Sequence, residues 1–130
     1  MNKDKHVIVI SVDAMITSDI AEFEKRPNMK AILAHSARVD EMHCIYPTYT
    51  YPCHTSIMTG CYPDKHGIYH NDIFDLNSSY VKWFWYAKDI KRPTMIDVAH
   101  EAGLTTGSVV FPVQGGAKAD YLIAEIWTPK

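Results

Sequence analysis

No apolar run in this sequence approaches the ~18 residues that a membrane-spanning helix needs, so no segment reads as a membrane span. No Lys/Arg-rich block is present, and the net charge is −2 with histidines neutral. That balance gives no electrostatic reason to expect a nucleic-acid partner. There is no CxxC pair. The three cysteines, Cys44, Cys53 and Cys61, are odd in number, and reduced thiols in a cytosolic protein are the expected reading. Internal repeats, low-complexity tracts and an obvious linker are all lacking, and 130 residues allow one domain and hardly two. The N-terminus passes from Met1-Asn2-Lys3-Asp4-Lys5 into an apolar run of about six residues, short of the roughly 7–15-residue core of a signal peptide. If Met1 is the native start, the expected location is the cytoplasm. What remains is an ordinary globular composition, 47% hydrophobic and 22% charged.

The hydrophobic pattern points to an α/β fold. His6-Val7-Ile8-Val9-Ile10-Ser11-Val12 is rich in β-branched residues without polar alternation, as in a strand buried on both faces of a parallel sheet. Asp13 falls at its C-terminal edge, where open α/β sheets bind ligands. A cap for the next segment is an equally good reading of Asp13. Ser18 or Asp19 can cap a helix over Ile20 to Lys25, and Pro27-Asn28 restart one carrying Met29, Ile32 and Leu33 on one face. Val39 to Ile45 reads as a second strand. Further on, Thr94 caps a helix whose buried side is expected to hold Met95, Val98, Ala99 and Ala102, with Gly103 at its end. Strands are expected at Ser108–Phe111 and about Tyr121–Ile126. The aromatic run Tyr80-Val81-Lys82-Trp83-Phe84-Trp85-Tyr86 would, as a strand, need cover on both faces.

The chemistry concentrates between Tyr46 and Asn71. Pro52 suits the first position of a short helix, which would place Thr50 about one residue outside the cap. The unpaired N–H groups of a first helical turn, with the helix dipole, favour an anion beside that hydroxyl. Gly60 is expected to end the helix with φ > 0. A threonine hydroxyl is a poor nucleophile unless a base or a metal activates it. Asp13 and Thr50 would make two oxygen ligands for a metal such as Zn²⁺. His43, His54, His66 and His70 follow one another at spacings of 11, 12 and 4, which fit no tight metal pattern. Solvated or turn-stabilising histidines are expected instead.

These stretches closely resemble the nucleotide pyrophosphatase/phosphodiesterase family of the alkaline phosphatase superfamily. The family pattern runs Pro-Thr-x-Thr-x-Pro-Asn-His, then Thr-Gly-x-x-Pro-x-x-His-Gly-Ile and an Asn. Here it reads Pro47-Thr48-Tyr49-Thr50-Tyr51-Pro52-Cys53-His54, then Thr59-Gly60-Cys61-Tyr62-Pro63-Asp64-Lys65-His66-Gly67-Ile68, and Asn71, after Val9-Ile10-Ser11-Val12-Asp13-Ala14. Arg92-Pro93-Thr94-Met95, Val110 to Val113 and Ala124 to Pro129 are similar to later family segments, so the resemblance spans nearly the whole chain. One departure is local: Cys53 stands where the family usually has Asn.

The resemblance implies a partial alkaline-phosphatase-like α/β fold, a mostly parallel sheet flanked by helices. It implies two divalent metal ions, Zn²⁺ by family habit, and a phosphate-ester or nucleotide substrate. Thr50 would be the nucleophile that carries a covalent phosphoryl intermediate and sits on one metal. Asp13 would ligate that metal, and Asn71 would hold a phosphoryl oxygen. The family's other ligands include an Asp-x-x-x-His and an Asp-His pair, and the chain contains neither. Residues 1–130 are therefore expected to form the N-terminal portion of a single catalytic domain. Alone, the chain is expected to be inactive, with the rest of the parent chain, or self-association, covering its exposed surface. The alternatives are another hydrolase of the superfamily, acting on phosphomonoesters or phosphonates, and a non-catalytic phosphate-binding fragment.

Overall fold

The computed structural model describes residues 5–39 and 41–126. The chain divides into two compact units, Met1–His43 and Cys44–Lys130. In the first, a 3₁₀ turn at Thr17–Asp19 runs into helix α1 (Ile20–Phe23), and helix α2 (Pro27–Leu33) follows. The Asp19 carboxylate accepts the Ile16 N–H at 2.9 Å and closes the first turn. Pro27 occupies the start of α2, as the sequence predicts, because its missing N–H would have no intrahelical partner there.

The two strands expected in this region are not formed. Residues 5–12 carry no regular secondary structure, and Val7 and Ile8 are 89% and 82% exposed. Val39 and residues 41–45 likewise carry no strand, and Asp40 lies outside the described residues. A strand is defined by the neighbour that takes its ladder hydrogen bonds. Among the described residues no segment pairs with either stretch.

The second unit holds helices α3 (Thr50–Thr59), α4 (Pro63–His66) and α5 (Met95–Glu101). Strands β1 (Asp72–Ile73) and β2 (Lys82–Trp83) pair antiparallel, with Asp72 opposite Trp83. Strands β3 (Gly107–Val109) and β4 (Tyr121–Ile123) pair parallel, with Gly107 opposite Tyr121. This is an α/β arrangement in which one ladder is parallel and the other antiparallel. The expected strand at 80–86 shrinks to β2. Its neighbour Phe84 enters the core, while Tyr80, Val81 and Tyr86 remain exposed.

Tyr51, Ile68, Phe84 and Val113 form the buried core, with Ile73 and Ile90 packed against it. Each comes from a different stretch of chain, so the core joins α3 to the loops around it. One glycine is dictated by this packing. The Gly115 N–H donates to the Trp85 carbonyl at 3.0 Å, and a Cβ at Gly115 would fall 2.5 Å from Trp85 Cδ1. Helix α5 starts where the sequence places it. The Thr94 hydroxyl accepts the Asp97 N–H at 3.2 Å, and the Asp97 carboxylate accepts the Thr94 N–H at 2.8 Å, a reciprocal capping box. Its expected buried side is not buried: Met95 and Val98 are 38% and 57% exposed. Apolar periodicity marks the face a helix could bury, and burial itself needs an element to cover it.

His66, at the end of α4, is wholly buried. Its Nδ1 accepts the Ile68 N–H at 3.1 Å, so the ring proton sits on Nε2, which donates to Ser56 Oγ at 2.9 Å. The neutral ring thereby pins α4 to α3. Burial holds its pKa below the ordinary 6.5, and the opposing pull of Asp64 is smaller. A histidine with a lowered folded-state pKa binds more protons when unfolded, so its contribution to stability is full above pH ~6.5 and is lost as pH falls through that value. Thermal midpoints measured from pH 8 to pH 5 should therefore drop on the acid side, and His66→Gln should flatten that part of the curve.

Candidate active site

Helix α3 begins two residues earlier than the position of Pro52 suggests. Tyr49 is the N-cap, with extended φ −86° and ψ 154°, and Thr50 is the first helical residue. Thr50 thus lies inside the first turn and is half-buried. Pro52 occupies the third position, where its missing N–H still costs no intrahelical bond. At the far end Gly60 takes φ 65°, the left-handed conformation that glycine adopts without a Cβ penalty, as expected.

The first turn offers an anion fewer N–H groups than the sequence implied. The Tyr51 N–H donates to Asn71 Oδ1 at 2.9 Å. Pro52 has no N–H, and that of Cys53 donates to the Tyr49 carbonyl at 3.1 Å. The proline and a side-chain cap from twenty residues away explain the difference. The cap has a second consequence. Because a backbone N–H can only donate, Asn71 must present its oxygen to Tyr51, and its amide NH₂ faces away from that bond as a pair of donors. Asn71 is also held through its main chain, whose carbonyl accepts the Phe84 N–H at 2.9 Å.

The structure therefore brings Asn71 to the helix entrance that carries Thr50. Asp13 belongs to the first unit, where it is exposed and its Oδ1 accepts the Ala14 N–H at 3.0 Å. The histidines are engaged locally. His54 Nδ1 donates to the Thr50 carbonyl at 2.8 Å, and its ring lies edge-on to Phe111. His66 uses both ring nitrogens. His70 Nδ1 pairs with the Asp72 carboxylate, and its ring stands 4.1 Å from that of Tyr49. In the first unit, His43 Nε2 lies 3.5 Å from Glu41.

Sequence reasoning missed two contacts. Tyr51, 1% exposed, donates its phenol to Glu125 Oε2 at 2.6 Å, across 74 positions that no local signal bridges. Asn71 serves as a cap for α3, although caps are sought immediately before a helix.

Two oxygen donors fall short of the four ligands that zinc commonly takes. Among the described residues no group of three or more His, Cys, Asp or Glu side chains converges to hold a metal ion. These residues alone do not fit a two-metal centre.

Comparison with known proteins supplies the class. The fold matches murine ectonucleotide pyrophosphatase/phosphodiesterase 5 with a TM-score of 0.59 over 85% of this chain and 31% of that one, at 22% identity. This is a likeness of fold alone. The sequence profile of the type I phosphodiesterase/nucleotide pyrophosphatase family matches residues 7–128, and the chain belongs to that family. Among curated relatives, Bis(5′-adenosyl)-triphosphatase enpp4 of Xenopus laevis is 29% identical over 86 residues, 60% of this chain and 19% of that protein. Venom phosphodiesterase 2 of Crotalus adamanteus is 32% identical over 72 residues, 55% of this chain and 9% of the venom protein. The chain thus spans well under a third of the length of these relatives.

The Asn71 cap yields a stability test. Asn71→Ala leaves the Tyr51 N–H without its acceptor and should cost about 1–3 kcal/mol in urea unfolding. Asn71→Asp keeps the acceptor and should recover most of that loss.

Proposed function

We propose that this chain carries the nucleophile portion of a hydrolase acting on phosphodiesters or nucleotide phosphoanhydrides. Membership of the family supports the reaction class. The observation that carries the assignment of residues is the Asn71–Tyr51 bond, which sets an amide beside the entrance of the helix that starts with Thr50. In this reading Thr50 Oγ1 attacks phosphorus, and its proton passes through solvent to the leaving oxygen. The leaving oxygen departs with its electron pair, and a phosphothreonine forms. Water then attacks phosphorus, the bond from phosphorus to Thr50 Oγ1 breaks, a proton of that water passes to Oγ1, and the phosphoryl product leaves. The Asn71 NH₂ donates to a non-bridging phosphoryl oxygen as charge spreads over it. The positive end of the α3 dipole acts in the same sense.

Asp13 and Thr50 are proposed as this chain's oxygen donors to a pair of divalent metal ions, taken as Zn²⁺, whose remaining ligands come from outside the described residues. Residues 1–130 are read as one portion of a single catalytic domain, and the chain by itself should turn over little substrate. Among the described residues no helix is long and apolar enough to cross a membrane.

Hydrolysis of a chromogenic phosphodiester tests the proposal in the 130-residue chain and in its complete gene product. Activity in the complete product should fall at least ~10³-fold in Thr50→Ala. Asn71→Asp should cost about 10²-fold while the protein stays folded, because the donors are lost and the cap is kept. A Thr50→Ala variant as active as the parent would sink the nucleophile assignment. Zinc competition against a chromogenic chelator should show weak binding to the 130-residue chain. Two tightly held ions per chain would show that its own histidines complete the site.

A further inference from the structure

We infer that Cys44 and Cys53 are a redox pair that closes into a disulfide across the turn leading into α3. Their Sγ atoms stand 3.1 Å apart, and a disulfide places the two sulfurs at about 2 Å, so closure asks for a shift of about 1 Å. The cysteines lie nine positions apart, and the chain bends between them at Tyr46–Pro47. Cys44 is exposed and open to a reagent from solution, while Cys53 is half-buried on the first turns of α3. The Cys53 thiol also faces the Pro47 carbonyl at 4.0 Å, inside the ring that closure would form. Cys61 is not part of the pair. It lies beyond the end of α3, with its thiol directed at the Thr59 carbonyl at 3.5 Å.

The co-reactant is a low-molecular-weight disulfide such as oxidised glutathione. The Cys44 thiolate attacks one sulfur of the reagent, its S–S bond breaks, and one small thiol leaves with the electron pair. The Cys53 thiolate then attacks Cys44 Sγ, breaks the mixed disulfide and releases the second small thiol. Two protein thiols are oxidised, one external disulfide is reduced to two thiols, and both protons leave with them. The reverse sequence with excess small thiol reopens the ring.

The closed ring runs from Cys44 to Cys53 and contains Thr50. If Thr50 is the nucleophile proposed above, oxidation restrains the backbone that carries the hydroxyl, and oxidised and reduced protein differ in diester turnover. That consequence rests on the nucleophile reading. The cross-link does not.

The experiment treats the protein with oxidised glutathione and follows it by thiol titration and by mass mapping of proteolytic peptides. Reactive thiols should fall from three to one, with a net loss of two hydrogens and one peptide pair joined through Cys44 and Cys53. Dithiothreitol should restore all three. The same cross-link should form in Cys61→Ser and be absent in both Cys44→Ser and Cys53→Ser, and Cys53→Ser should carry a stable glutathione adduct on Cys44 instead. Three unreacted thiols, adducts that persist on Cys44 without closure, or linkage between separate chains would each overturn the inference. A normal cross-link together with loss of turnover in Thr50→Ala of the complete gene product supports both readings, and a normal cross-link with that variant still active removes only the nucleophile reading. Turnover measured before and after closure in the complete gene product then tests the regulatory consequence, and equal rates would remove it.

Discussion

The bond between the Tyr51 N–H and Asn71 Oδ1 is the constraint from which the second unit is arranged. It satisfies a donor in the first turn of α3 that has no intrahelical acceptor, and it fixes which face of the Asn71 amide is left for other work. Tyr51 reaches the same point from the other direction, since its ring lies in the core with Ile68, Phe84 and Val113. One residue thus joins the helix entrance to the packed interior. Its backbone is held by a side chain and its side chain by the core. A displacement of the entrance would disturb both, which makes this turn stiff.

What the sequence revealed, and what it did not, follows from the range of each interaction. Local signals held. Pro27, Thr94 and Gly60 mark helix ends through contacts within a few residues, and the structure has them where the sequence puts them. Signals that depend on a distant partner failed. His6–Val12 has the composition of a buried strand, but a strand needs a neighbour, and none among the described residues supplies one. The apolar side of α5 is uncovered for the same reason. The start of α3 was misplaced by two residues because Pro52 fits the first and the third position about equally well: in both its missing N–H has no helical acceptor to lose. The motif singled out Thr50 and Asn71, and the structure sets Asn71 at the entrance of the helix that Thr50 starts. The orientation of the Asn71 amide was not legible, because it follows from a bond made after the chain has folded back on itself.

The histidines show why residue type alone does not make a metal site. His54, His66 and His70 stand close together along the chain, and each is committed to a separate local task. His66 spends both nitrogens in bracing α4 against α3. A ligand must offer a lone pair in a direction shared with other ligands, and among the described residues no three His, Cys, Asp or Glu side chains converge in that way. The family reading therefore rests on the motif around Thr50 and on the profile match.

The contact between the Tyr51 phenol and Glu125 separates its partners by 74 positions. During synthesis the ribosome exposes the α3 segment long before Glu125 exists as a residue. In that interval the helix entrance can acquire its Asn71 cap, which is only twenty positions away, but not its anchor to the later chain. The entrance of α3 can thus be assembled in two stages, the second waiting on translation and on the closure of a much longer loop. A ribosomal pause or a premature stop before Glu125 would leave a nascent chain in which the motif is fully present and its anchoring is incomplete.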